Sequence, residues 1–125
     1  MVIPELRPTE RVMQISGADL HYWTYHEDRE GAEARSAAVE TDTVVMVHGL
    51  RGTHHGLELI AAGLPDHRVV VPDLPGFGDS GPMTGRRHDV AGYAHVVTAL
   101  IERLGGRERP VVLLGHSFGS IVAAR

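Results

Sequence analysis

The 125-residue sequence contains no cysteine. Disulfides, thiolate nucleophiles and cysteine-based zinc sites are therefore excluded. Lysine is absent as well; apart from histidine, every basic side chain is arginine. A serine–lysine dyad cannot be built from these residues. Long hydrophobic runs are missing too. The longest are four or five residues, against the ~20 that a membrane-spanning helix needs. There is no surplus of positive charge: the formal net charge is −4, which leaves no electrostatic footprint for nucleic acid. The one basic cluster, Arg86-Arg87-His88, is short, lies in a turn-rich segment and reads as a solvated loop. The N-terminus carries neither a charged nor an apolar targeting region, so the expectation is a cytoplasmic protein that does not enter a membrane.

What is present fits one globular domain, with 42% apolar and 22% charged residues. Residues 11–15 and 20–25 are rich in β-formers and are separated by Ser16-Gly17-Ala18-Asp19, which predicts an antiparallel hairpin. Residues 27–42 are polar and alanine-rich, a surface loop. Then the pattern changes. Residues 43–47, 68–72 and 110–114 are β-branched or leucine-rich runs that do not alternate, the pattern of strands covered on both faces. Between them, Leu57, Ile60, Ala61 and Leu64 predict a helix over 53–64 that ends at Pro65. A second helix is predicted over 89–104, capped by Asp89 and terminated by Gly105-Gly106. Strand and helix alternate, so the runs should form a parallel sheet with helices on its faces.

Ligands on such sheets bind beyond the carboxyl ends of the strands, and each run is followed there by glycine. After the last, Gly115-His116-Ser117-Phe118-Gly119 matches G-x-S-x-G between a buried strand and a helix start. Ser117 would sit in a strained turn, and side chains at Gly115 or Gly119 would crowd the neighbouring backbone. After the first run, His48-Gly49-Leu50-Arg51-Gly52 makes a turn whose amides can face the same place. The N–H groups of Leu50 and Phe118 together could hold a developing oxyanion.

Read in order, "VMVHGLRGTHHG", "VVVPDLPGFGDSG" and "VVLLGHSFGSIVAAR" resemble the N-terminal half of the α/β-hydrolase fold, from about Arg11 to Arg125. The resemblance implies a mostly parallel sheet with helices on both faces and an antiparallel N-terminal hairpin. It implies Ser117 as nucleophile, with Leu50 and Phe118 as oxyanion donors. It also implies an ester or related acyl substrate, without metal or organic cofactor. A serine at this position speaks against the dehalogenase and epoxide-hydrolase branches, which use aspartate there.

Family order is serine, acid, histidine, and neither an acid nor a histidine follows Ser117. Of the nine histidines, His116 is expected to pack behind the serine and His48 to bond the loop backbone. His48, His54 and His55 make only a weak metal signal without a carboxylate at a helical offset; the simpler reading is a helix start beside the site. The rest fall on surfaces. Asp73 and Asp79 read as turn caps. His48, Arg51, His54 and His116 are the candidate pocket-lining residues, with Gly49 in the loop. The last strand would be an open apolar edge, and the helix after it only about eight residues long. The expectation is therefore residues 1–125 as the N-terminal portion of a single domain, truncated after the elbow and weakly active alone. The alternative is a non-catalytic binding protein of the same fold. The oligomeric state is not legible.

Overall fold

The computed structural model describes residues 8–26, 43–49, 52–106 and 108–124. The expected polar loop at 27–42 and the turn residues Leu50 and Arg51 lie outside the described residues. Five strands form one sheet: β1 (Thr9–Ile15), β2 (Ala18–Tyr25), β3 (Thr43–Val47), β4 (Val69–Pro72) and β5 (Val111–Gly115). The helical segments are a 3-10 turn (His54–Leu57) running into α1 (Glu58–Ala62), then α2 (Val90–Arg103) and α3 (Phe118–Ala124).

The hairpin forms because Ser16 and Gly17 both take positive φ, 52° and 77°, the pair of left-handed residues that a two-residue type I′ turn requires. The sheet order is β1-β2-β4-β3-β5. It is mixed: β2 pairs antiparallel with both β1 and β4, while β3 is parallel to β4 and β5. The β2–β4 pairing joins residues nearly fifty positions apart and could not be read from local pattern.

Alternation along each strand divides the core in two. Leu20, Tyr22, Val45, Val47 and Val70 face α2 and α3, and pack against Val96, Val97, Leu100 and Val122. Trp23, Tyr25, Val44, Met46, Val69 and Val71 face the other way, onto Leu57 and Ala61. Helices thus cover both faces. α2 is held at its start by the Asp89 carboxylate, which accepts from the Gly92 N–H at 2.8 Å. At its end Gly105 turns left-handed and the Gly106 N–H returns to the Ile101 carbonyl at 2.9 Å. The predicted first helix is shorter than its periodicity suggested. Its opening turn is 3-10, it closes at Gly63, and Ile60 is exposed. β5 lies at the sheet edge, paired with β3, and leaves Val112 exposed. Among the described residues no helix is long and apolar enough to cross a membrane.

Candidate active site

The loops after β3 and β5 meet at the carboxyl end of the parallel strands. The β3–β5 ladder runs to Val47 opposite Gly115, and the His116 N–H continues it with a 3.0 Å bond to the Val47 carbonyl. Ser117 follows with φ +57°, a left-handed conformation that costs a non-glycine residue of order 1–3 kcal/mol. The turn is closed behind it by Gly119 N–H to His116 O and Ser120 N–H to Ser117 O, both 2.9 Å. Two glycines let the chain pass. A Cβ at Gly119 would overlap the Val47 carbonyl, and one at Gly115 would overlap the Gly119 carbonyl. Gly49 lies against the serine itself; a Cβ there would stand 3.0 Å from Ser117 Cβ and 3.4 Å from its Oγ.

The Ser117 side chain is exposed, and no described side chain hydrogen-bonds its hydroxyl. It opens onto a cleft of about 220 Å³ lined by His48, Gly49, Gly52, Thr53, Gly56, Leu57, His116 and Ser117. Phe118 occupies the first position of α3, where a helix leaves its N–H unbonded. Its amide has no backbone acceptor among the described residues. Its ring turns away from the cleft and packs edge-on against Tyr93, centroids 5.9 Å apart.

Beside this open elbow lies a closed polar cluster at the end of β4. Asp73 is fully buried. Its Oδ1 accepts from the His54 backbone N–H at 2.8 Å and from His54 Nδ1 at 3.0 Å, and its Oδ2 accepts from the Asp79 N–H at 3.0 Å. Ser80 Oγ bonds the Asp73 carbonyl at 2.6 Å. His48 is 2% exposed. Its Nε2 accepts from the Leu74 N–H at 2.9 Å, which leaves Nδ1 to donate to the Gly49 carbonyl at 2.7 Å. Burial lowers the His48 pKa, only partly offset by the Gly49 bond and the Asp73 charge. The imidazole is therefore neutral and clamps the Gly49 turn to the start of the next loop.

The predicted site residues divide accordingly. Ser117, Gly49, Gly115, Gly119, His48 and His116 come together; Leu50 and Arg51 lie outside the described residues. His116 does not pack behind the serine but is exposed and lines the cleft, because the left-handed turn at Ser117 leaves its side chain on the open side. His54 does not line the cleft. The 3-10 turn carries it inward, where it stacks on Trp23 at 3.4 Å between centroids and bonds Asp73. The Trp23–His54–Asp73 grouping was missed because its members are 31 and 19 positions apart. All nine histidines are described, and none hydrogen-bonds Ser117.

Comparison with known proteins follows from this geometry. Residues 44–125 match the alpha/beta hydrolase family. Mesoderm-specific transcript homolog protein of Homo sapiens is 30% identical over 125 residues, covering 96% of this chain and 36% of that protein. Phospholipase YtpA of Bacillus subtilis is 31% identical over 106 residues, 81% of this chain and 36% of that one. In structure, the Cif epoxide hydrolase from Acinetobacter nosocomialis superposes with a TM-score of 0.74 over 93% of this chain and 32% of its own, at 20% identity, a likeness of fold. The chain spans 28–36% of the length of the curated relatives it matches.

Proposed function

The chain belongs to the alpha/beta hydrolase family, and from that premise we propose a serine hydrolase acting on an ester or related acyl compound. Ser117 Oγ attacks the carbonyl carbon. The Phe118 amide, together with that of Leu50, holds the oxyanion that forms; its collapse expels the leaving group, which takes up the proton that the general base removed from Ser117, and water then releases the acyl product. The observation that carries this reading is the exposed, left-handed Ser117, set against Gly49 at the mouth of a cleft. An acyl oxygen bound there would meet an unbonded helix-start amide. The small-molecule substrate reading is in keeping with the phospholipase named among the relatives.

No histidine here reaches Ser117, so the proposal takes the general base and its acid from polypeptide outside these 125 residues, in the family's order of serine, acid and histidine. The 125-residue chain alone should then turn over poorly. The test is hydrolysis of short-chain aryl esters by the polypeptide that contains this segment, compared with its Ser117→Ala variant. A loss of roughly 10⁶-fold in kcat is expected, with a fluorophosphonate adduct found on Ser117 by mass spectrometry. Ester turnover that survives Ser117→Ala overturns the reading.

A further inference from the structure

We propose that His54, His55 and Glu58 form a binding site for a divalent first-row transition-metal ion of the zinc class, on the turn that borders the Ser117 cleft. One imidazole nitrogen of each histidine and one Glu58 oxygen lie within 4.8 Å of one another. The metal expectation from the sequence pairs these histidines with His48 and counts no carboxylate at a helical offset, which the turn corrects. Glu58 is that carboxylate, four residues from His54 and three from His55, while His48 is committed to Gly49 and Leu74.

The chemistry of the donor set fits. Two imidazoles and one carboxylate, with a position left open, make a recurring set for zinc. The His54 Nδ1–H is held by the Asp73 carboxylate at 3.0 Å, which leaves Nε2 as the nitrogen with a free lone pair. A buried carboxylate behind a histidine is the arrangement that fixes the tautomer and raises the basicity of a metal-ligating imidazole. Trp23, stacked on the ring, holds its plane. His55 Nδ1 bonds Glu58 Oε1 at 3.1 Å. That separation is close to the ~3.3 Å edge of a tetrahedron with bonds of ~2.0–2.1 Å. On binding, this hydrogen bond gives way to two metal bonds, and the His55 proton moves to Nε2 or leaves to solvent. His54 is thus pre-set, whereas His55 is exposed and free to adjust.

The test is calorimetric titration of the polypeptide that contains this segment with ZnCl₂ alone, near neutral pH in a non-chelating buffer. One equivalent should bind, and His55→Ala and Glu58→Gln should each weaken it by about tenfold or more. Both side chains are on the surface turn, so the unliganded variants should melt as the parent does. The imidazole resonances of His54 and His55 should shift with the first equivalent, ahead of those of the other seven histidines. Absence of saturable binding overturns the proposal. So does undiminished affinity in the double variant H55A/E58Q, which would place the ion elsewhere.

Discussion

Two loops at the same end of the sheet are built in opposite ways. The loop after β4 is closed: Asp73 is fully buried, three N–H groups converge on its carboxylate, and Ser80 and His48 tie the surrounding backbone. The loop after β5 is open. Its backbone is as tightly bonded, yet Ser117 Oγ meets no described side chain and the residue sits in a strained conformation. Side chains hold the first loop, whereas glycines and main-chain bonds, joined by the Ser120 hydroxyl on the Ser117 carbonyl, hold the second. If Ser117 is the nucleophile proposed above, its loop cannot use that side chain as its own fastener, so its stability has to come from the neighbours.

The sharpest way to break this contrast is to remove one side chain from each loop. Asp73→Ala strands three inward-facing N–H groups and should cost about 3–5 kcal/mol in urea denaturation. Ser117→Ala should stay within ~0.5 kcal/mol of the parent. Similar losses from both would mean that the elbow leans on its serine after all. An intermediate effect is expected from acid. The His48 pKa is lowered by burial, so the unfolded chain, with an ordinary pKa of ~6.5, takes up the proton first. Stability from this group is whole above that value and is lost as pH falls through the folded pKa, by up to ~1.4 kcal/mol per pH unit. Thermal melts against pH should show this slope in the parent and a shallower one in His48→Gln. The smallest effect concerns strain. Ser117→Gly should raise stability by up to ~1 kcal/mol, because glycine accepts φ +57° freely; no gain would show that the turn is unstrained.

How far these loops were legible depended on distance along the chain. The apolar runs at 43–47, 68–72 and 110–114 announced their strands, because residues covered on both faces leave no alternation; β3 and β4 are buried so, whereas β5, at the edge, has no fully buried residue. Their ends at glycine marked where chemistry would lie, and His48-Gly49 and G-x-S-x-G were readable as local motifs. Contacts between distant segments were not. Nothing in the spacing of Trp23, His54 and Asp73 foretells a stack and a hydrogen bond, since these arise from the β2–β4 pairing and an inward 3-10 turn. That turn was itself hidden, because Leu57, Ala61 and Leu64 satisfy an α-helical period whether or not the first turn is tighter. His116 illustrates a further limit: its place in the sequence was plain, but the left-handed residue beside it decided which side it faces. The composition of 110–114 reads as an interior strand, whereas its place at an open edge came from the family resemblance; the strand does lie at the edge, with Val112 exposed.

The extra rung from His116 N–H to Val47 O makes the Ser117 turn and the His48-Gly49 turn a single lever. Both leave the sheet from strands zipped together along their whole length, and the fastening lies at the very tip. A force that spreads the cleft therefore loads that one bond first, and only then the ladder behind it, rung by rung. Small excursions are resisted by one stiff joint and large ones by an unzipping strand pair. The gap between Ser117 and Gly49 is in this sense a sprung jaw whose rest position is set by sheet register.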